Sequence, residues 1–419
     1  MSSEGAGAMN DGNNEKSVLV PRRRFPEFRD AGEWNHAPLG RLFSERQEAG
    51  FTNLPLLSLM DKEGIVPQEE TNRRNNSSAD KSKYLRVVPG DIAYNTMRMW
   101  EGRSAYVGIE GLISPAYTVC IPAEGINSIF FSYHFKTEAL IRQFRRYSQG
   151  LVKDTLNLKY EAFSRIETPY PEDEQEQQKI ADCLSSLDEL ITAETQKLDA
   201  LKAHKKGLMQ RLFPRDGETV PRLRFPEFRR GGAWPTVAAG KLFLNRIERG
   251  KSELPIYSVT MNDGLVPRAS LDRKIDDIAE AGANKTVRAG DLAYNMMRMW
   301  QGALGVAPED CMVSPAYIVL EPQRVNPFFF YYLLKLPQSL RVLTAHSRGL
   351  TEDRLRLYYD DFAKVILQCP SLPEQERIAD CLLSVDKFIT AQSQKIDALK
   401  THKRGLMQQL FPVQDEVPA

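Results

Sequence analysis

Two nine-residue strings carry side chains suited to contact nucleic acid. YNTMRMWEG begins at Tyr94 and YNMMRMWQG begins at Tyr294. Asn reads adenine through paired hydrogen bonds, Arg reads guanine or binds phosphate, and aromatic rings contact bases. The interior of a half-buried strand is an equally good place for the Met and Trp side chains. The candidate contacts in these strings are Tyr94, Asn95, Arg98, Trp100, Tyr294, Asn295, Arg298 and Trp300.

Two further segments have basic residues beside a Ser-x-Gly turn. SQGLVKDTLNLKY and SRGLTEDRLRLYY each follow an Arg-containing stretch with helical character. Basic side chains and turn N–H groups suit phosphate contact, although a solvated surface explains any single Arg as well. An SPAY string also occurs twice and is typical of a turn at the end of a strand. The candidate contacts here are Ser114, Tyr117, Arg146, Ser148, Lys153, Ser314, Tyr317, Ser347, Arg348 and Arg354.

The sequence contains no complete catalytic motif. GKS at Gly250 would need a Gly at the position of Asn245 to form a phosphate-binding loop. SPAY departs from the Asp/Asn-Pro-Pro-Tyr motif of amino-methyltransferases, and Asp272 with Lys274 lacks the upstream carboxylate of a nuclease site. The five Cys form no CxxC pair, and no His shares a ligand spacing with them. We therefore predict a protein without catalytic or metal-binding residues.

The two sets of candidate residues belong to a tandem repeat that covers most of the chain. VPRRRFPEFR followed by Trp34 recurs as VPRLRFPEFR followed by Trp234, and HKKGLMQRLFP at His204 recurs as HKRGLMQQLFP at His402. Each repeat begins with short β-rich runs, Gly/Pro turns and a helical patch, which indicates an α+β domain. The predicted parts are a disordered leader at 1–19, α+β domains at 20–173 and 214–372, long helices at 174–213 and 373–412, and a tail at 413–419.

Apolar residues in both long helices recur at heptad spacing. The first helix has Ile180, Leu184, Leu187, Ile191, Leu198, Leu201, Leu208 and Leu212, and the second repeats the pattern from Ile378 to Leu410. The positions that the pattern skips hold Glu194 and Lys205 in one helix, and Gln392 and Lys403 in the other. The pattern predicts that the helices pair as an antiparallel coiled coil with pseudo-twofold symmetry. The alternative is that each helix docks separately on its own domain.

Composition places the chain among soluble proteins. Its 419 residues carry a formal net charge of +1, so any nucleic-acid surface must be local. No apolar run is long enough to span a membrane, and the N-terminal leader lacks the apolar core of a signal peptide. An odd number of unpaired Cys is typical of a reducing compartment. We predict a cytoplasmic location.

These motifs together resemble those of the DNA specificity subunit of type I restriction-modification systems. The resemblance rests on RFPEF at Arg24 and Arg224, each with a following Trp, on the GDxAYNxMRMWxG and SPAY strings, and on EQxxIADCLxxxD at Glu176 and Glu374. It extends from Val20 to Pro412.

The resemblance implies a non-catalytic subunit with two target recognition domains, each of which reads one half of a bipartite site in double-stranded DNA. It implies that the helices set the spacing of the halves and dock two adenine methyltransferase (modification) subunits, and that ATP-dependent restriction subunits join them. S-adenosylmethionine, ATP and Mg would be bound by those partners, with no cofactor on this chain. The two recognition domains belong to one class here, which favours related half-sites. The alternative function is a coiled-coil scaffold that assembles proteins without reading DNA.

Overall fold

The computed structural model of the chain divides into two units. It describes residues 19–60, 64–71, 77–78, 80–152, 155–261, 263–271, 280–351 and 354–412. One unit combines the chain up to Glu194 with the chain from Lys395 onward, and the other consists of Thr195–Gln394. Lys153, Asp272, Lys274, the tail at 413–419 and all of the predicted leader except residue 19 lie outside the described residues.

The described residues of the first unit form ten short strands and four short helices, followed by the start of a long helix. In chain order the elements are β1 (Asn35–Pro38), α1 (Leu39–Leu42), β2 (Phe43–Glu45), β3 (Leu57–Met60), β4 (Gly64–Pro67), β5 (Leu85–Val87), β6 (Ile92–Asn95), β7 (Ser104–Tyr106), β8 (Gly111–Ile113), β9 (Tyr117–Pro122), α2 (Ser128–His134), α3 (Glu138–Tyr147), α4 (Tyr160–Phe163), β10 (Glu167–Tyr170) and α5 (Glu174–Leu212).

The second unit repeats this order. Its elements are β11 (Thr236–Ala238), α6 (Ala239–Leu242), β12 (Phe243–Asn245), β13 (Tyr257–Val259), β14 (Leu265–Pro267), β15 (Lys285–Val287), β16 (Leu292–Asn295), β17 (Leu304–Val306), β18 (Cys311–Val313), β19 (Tyr317–Pro322), α7 (Pro327–Leu334), α8 (Pro337–Ala345), α9 (Tyr359–Phe362), β20 (Ile366–Gln368) and α10 (Leu372–Leu410). The α+β class predicted for each repeat is confirmed.

A four-stranded antiparallel sheet lies at the centre of each unit. Its order is β2-β9-β6-β7 in the first unit and β12-β19-β16-β17 in the second. In the first unit, Ile92 and Tyr94 of β6 face the large core with the helices, whereas Ala93 and Val119 face a smaller core with the β3-β4 hairpin. Strand side chains alternate between faces, so a sheet covered on both sides buries successive residues. The second unit has the same two cores.

Segments of the two long helices pair within each unit, and the pairing is antiparallel. In the first unit Lys403 Nζ lies 2.6 Å from Asp188 Oδ1, and Lys395 Nζ lies 2.5 Å from Glu194 Oε1. The two helices run in opposite directions, because the later residue of α5, Glu194, pairs with the earlier residue of α10, Lys395. In the second unit Lys205 Nζ lies 2.6 Å from Asp386 Oδ1. Three of these residues occupy skipped positions of the heptad pattern, so the polar interruptions pair with the opposite helix. Among the described helices, none has the length and apolar character needed to cross a membrane.

A buried ion pair joins the start of each long helix to the first residues of its domain. Arg24 donates from Nε and Nη2 to the two carboxylate oxygens of Glu176, at 2.7 and 2.6 Å. The indole Nε1 of Trp34 donates to the same carboxylate at 3.3 Å, and both members of the pair are nearly inaccessible. Arg224, Trp234 and Glu374 repeat the arrangement in the second unit. The RFPEF and EQxxIADCL strings are therefore the two halves of one contact, which we call the Arg–Glu clasp.

Replacement of Arg24 by Ala should destabilise the first unit by about 3–5 kcal/mol, because Glu176 would remain buried without its cation. Removal of both partners, in Arg24→Met with Glu176→Leu, should cost much less. Urea unfolding of the full chain and the variants measures the difference. Equal losses in the single and double variants would show that the ionic contact is not what matters.

A buried histidine distinguishes the first unit from the second. His134 Nε2 lies 3.0 Å from the Pro169 carbonyl oxygen, and its ring stacks on Phe411 at a centroid distance of 4.9 Å. Its Nδ1 is buried without a hydrogen-bond partner among the described residues. Burial lowers the pKa of His134 to about 3. Leu333, which is 5% exposed, occupies the matched position of the second unit.

His134→Leu should remove an acid sensitivity from the first unit. Between pH 6.5 and 3 the imidazole is protonated in the unfolded chain but neutral in the folded one. The free energy of unfolding therefore falls as the pH falls through this window. The slope approaches about 1.4 kcal/mol per pH unit. Urea unfolding at pH 7.5 and 5.5 should show a smaller acid loss for the variant than for the unaltered chain. The same loss in both would contradict the assignment.

Candidate nucleic-acid interface

A Gly-Asp turn fixes the strand that leads into the YNxMRMW loop. Asp91 is buried, and its Oδ2 accepts hydrogen bonds from Val88 N at 3.0 Å and from Arg46 Nε at 2.8 Å. The Asp91 carboxylate raises the pKa of Arg46. Gly90 before it has φ +102°, a conformation that favours glycine. Arg246 and Asp291 form the same pair at 2.6 Å in the second unit.

The loop after β6 is folded by Asn95 itself. Its Oδ1 accepts from Met97 N at 3.0 Å, and its backbone carbonyl accepts from Arg98 N at 3.0 Å. The chain then buries Met99 and turns at Gly102, where φ is +77°. The matched amide, Asn295, makes the same side-chain contact with Met297 N at 2.9 Å. The Asn side chains therefore have a structural role at the start of each loop.

Three separate segments meet at the residue after this Asn. Thr96 N donates to the Ala116 carbonyl oxygen at 3.2 Å, and Leu158 N donates to the Thr96 carbonyl oxygen at 2.8 Å. Met296 makes the equivalent bonds in the second unit, at 3.2 and 2.9 Å. The joined segments are 95–100, 114–117 and 148–158 in the first unit, and 295–300, 314–317 and 347–357 in the second. The described residues of these segments form one surface per unit, which we call the three-segment surface.

The third segment is a narrow hairpin with a glycine beside its base. Gln149 and Asn157 exchange two backbone hydrogen bonds of 2.9 Å, and Arg348 and Arg356 exchange bonds of 2.9 and 2.8 Å. Gly150 has φ +143°, and a Cβ there would lie 2.5 Å from the Thr155 carbonyl oxygen. The matched Gly349 of the second hairpin has φ +149°. Only glycine fits this position in either hairpin.

Tyr94 and Tyr294 do not lie on the surface. They are 0% and 1% exposed, and the Tyr94 ring packs 5.1 Å from the Phe163 ring. The prediction that their rings contact nucleic acid is therefore corrected: both belong to the core because the helix side of the central sheet is covered. Burial raises the pKa of both phenols.

Most of the other predicted residues lie on or beside the surface. Arg98 is exposed, with Asn95 and Trp100 partly so, and the Trp100 indole donates to the Met97 carbonyl oxygen at 2.9 Å. Arg298, Asn295 and Trp300 repeat this placement. Ser114 and Ser314, in the turns before β9 and β19, and Tyr117 and Tyr317, the first residues of those strands, are also partly exposed.

The basic residues of the third segment differ between the units. Arg146 is exposed in the first unit, as is Arg354 in the second. Arg348 is held by Asp361, with Nε 2.6 Å from Oδ2, and its guanidinium lies 5.6 Å from the Tyr358 ring centroid. Hydrogen bonding to Arg348 lowers the pKa of Asp361. The hydroxyls of Ser148 and Ser347 donate to helix carbonyls at 2.7 and 2.8 Å, and Lys153 lies outside the described residues.

Two fully exposed leucines on this surface were absent from the predicted contacts. Leu151 is 101% exposed and Leu350 is 98% exposed, and each directly follows the hairpin glycine. The Gly-Leu pair, present in both SQGL and SRGL, was the available signal. Among the described residues, no group of His, Cys, Asp and Glu side chains could hold a metal ion.

Comparison with known proteins identifies the family. The profile of the "Type I restriction modification DNA specificity domain" matches residues 64–203 and 238–401. The type I restriction enzyme MjaVIII specificity subunit of Methanocaldococcus jannaschii is 22% identical over 378 residues, which cover 83% of this chain and 86% of the relative. The putative MjaX specificity subunit of the same organism is 24% identical, covering 79% of this chain and 80% of the relative.

Solved structures share the fold at low sequence identity. The S subunit of a type I restriction-modification system from M. genitalium matches with a TM-score of 0.58 and 11% identity, covering 95% of this chain and 100% of that one. A chain from a study of complex assembly in the type I R-M system matches with a TM-score of 0.53 and 16% identity, covering 90% and 97%. The resemblance found in the motifs is thereby confirmed: the chain belongs to the DNA specificity subunit family of type I restriction-modification systems.

Proposed function

We propose that each unit reads one half of a bipartite sequence in double-stranded DNA through its three-segment surface. The observation that carries this proposal is that one arrangement of loop, turn and hairpin is built twice, each time around the residue after the Asn. Each copy presents exposed Arg side chains to solvent. Arg side chains neutralise phosphate and donate to guanine, so the surface has the chemistry of a base-reading site.

The Asn and Arg side chains would have different tasks on DNA. Asn95 Oδ1 already accepts a hydrogen bond from its own loop, so Nδ2 is the group with which it would donate to a base. Arg98 and Arg298 extend from short turns whose backbone is held by Asn95 and Asn295. A rigid loop positions a guanidinium with little loss of conformational entropy on binding.

The long helices, in this proposal, dock two adenine methyltransferase subunits, and ATP-dependent restriction subunits join them. S-adenosylmethionine, ATP and Mg would be held by those partners and not by this chain. Family membership supports a non-catalytic role, as does the lack of a complete catalytic motif in the sequence.

Methylome sequencing of the host with and without this gene tests the proposal. We expect one bipartite adenine-methylated motif to disappear on deletion. Exchange of residues 20–173 for the matching domain of a relative should then change one half of the motif and leave the other half intact. A scaffold that does not read DNA would instead leave the motif unchanged on domain exchange, and that result would contradict the proposal.

A matched exchange of residues tests the role of the two arginines. Arg98 Nη1 lies 3.3 Å from a Glu101 carboxylate oxygen, whereas Arg298 Nη1 lies 3.4 Å from the neutral amide oxygen of Gln301. Glu101→Gln should tighten binding to motif DNA several-fold at low salt, because it removes a negative charge beside the phosphates. The reverse change, Gln301→Glu, should weaken binding.

Fluorescence anisotropy with a labelled duplex over a range of salt concentrations measures both changes. The two effects should have opposite signs and should shrink as salt is added. Changes of the same sign, or none, would place these arginines away from the DNA.

A further inference from the structure

Leu151 and Leu350 are the most exposed large apolar side chains among the described residues. A fully exposed Leu side chain contributes nothing to the stability of the fold, because it buries no apolar surface. A single one needs no explanation. Here the same exposure occurs at the matched position of both units, although the following residue differs, Val152 in one unit and Thr351 in the other. The repetition indicates that the apolar tip has a use outside the folded chain.

The backbone of each hairpin fixes the place from which the leucine projects. The glycine before it adopts a φ closed to other residues, and two backbone hydrogen bonds close the hairpin just before that glycine. On the returning arm, Leu158 and Leu357 are fully buried and anchor the hairpin to the core. The backbone that carries each exposed leucine is therefore held in a fixed position by the core.

The surroundings of the tips favour a polyanion as the occupant. Exposed cations flank both hairpins: Arg145, Arg146 and Lys159 in the first unit, and Arg354, Arg356 and the Asp361-paired Arg348 in the second. Each hairpin is also joined to the loop that carries Arg98 or Arg298 through the bond from Leu158 N or Leu357 N. An apolar tip among cations matches double-stranded DNA, whose phosphates flank apolar base faces and thymine methyl groups.

We propose that Leu151 and Leu350 enter the DNA, one in each half-site, and are buried there against the bases. This inference rests on the proposed function and adds an apolar, specificity-determining contact to it. The side chain would either wedge into a base step or pack on a thymine methyl group. A wedge needs a base step that unstacks easily, and a methyl contact needs a thymine. Because both depend on the DNA sequence, they contribute to specific binding and not to general attraction.

The test compares Leu151→Asn with Leu151→Met in the full chain, within the complex isolated from its host. The probes are a duplex carrying the methylated motif and a duplex with that motif scrambled. Leu151→Asn should weaken binding to motif DNA about 10-fold, while Leu151→Met stays close to the unaltered chain. Affinity for the scrambled duplex and the salt dependence should be unchanged, because no phosphate contact is lost.

Ile247→Asn is the matched control, since Ile247 is an apolar side chain that is 76% exposed and lies outside the three-segment surface. It should leave both affinities unchanged. Because Leu151 is fully exposed, neither Leu151 variant should alter the melting temperature. Leu350→Asn should reproduce the effect of Leu151→Asn on the opposite half-site.

Two DNA probes locate the contact. A wedge raises the fluorescence of 2-aminopurine at one step of the half-site, and Leu151→Asn removes that rise. A methyl contact appears as weaker binding when one thymine is replaced by uracil, with no further loss in Leu151→Asn. Either result supports the inference, and the absence of both overturns it.

Two other outcomes would also overturn it. Equal weakening on motif and scrambled DNA would make the leucines non-specific contacts. Loss of a partner subunit from the complex, with DNA binding unchanged, would make them protein contacts. If the unaltered chain does not distinguish the two duplexes, the proposed function fails; if it does and Leu151→Asn distinguishes them equally well, only the leucine contact fails.

Discussion

The Arg–Glu clasp is the contact on which each unit depends. Glu176 lies in the first turn of a 39-residue helix, and its carboxylate is shared by Arg24 and by the indole of Trp34. The end of the other long helix joins the same place, because Phe411 packs on Trp34 at 6.1 Å and Arg23 N donates to the Gln409 carbonyl oxygen. The start of one helix, the end of the other and the globular domain therefore share one core. Since a charge buried without its partner is costly, this junction admits little variation.

The helix pairing uses charge where the heptad pattern lacks apolar residues. Lys403 binds Asp188, which also accepts a hydrogen bond from Tyr133 Oη at 2.8 Å. Tyr332 donates to Asp386 at 2.7 Å in the second unit, where Lys205 takes the place of Lys403. A misaligned pairing would leave each Lys opposite an apolar position, so these residues specify the register at some cost in stability. The same Asp side chains tie helix α2 or α7 to the helix pair, which couples the register to the position of the domain on its own helices.

Sequence patterns predicted the repeat, the α+β class and the long helices, because hydrophobic periodicity is a local property. The pairing of Arg24 with Glu176 could not be predicted from the sequence, because the two residues lie 152 positions apart. Neither the RFPEF string nor the EQxxIADCL string indicates by itself which residue it contacts. Tyr94 was misplaced for a related reason. Alternation along β6 does not say whether one face or both faces of the sheet are covered, and here Ala93 is as buried as Tyr94. The role of Asn95 in folding its own loop likewise appears only when Oδ1 is seen to accept from Met97 N.

The two units share the contacts that stabilise the fold and differ in residues on the surface. The clasp, the Gly-Asp turn and the hairpin glycine occur in both, and each is buried or fixed by φ. By contrast, Arg348 and Asp361 face each other in the second unit, where the first has Gln149 and Ala162. The two changes belong together: Asp361 is only 13% exposed, so its charge would be unfavourable without the guanidinium. Exposed positions can change at little cost in stability. If each surface contacts DNA as proposed, an Arg positioned on only one of them gives the two surfaces different preferences for bases. Under the proposed function, the two half-sites are expected to be related but to differ at the bases nearest these side chains.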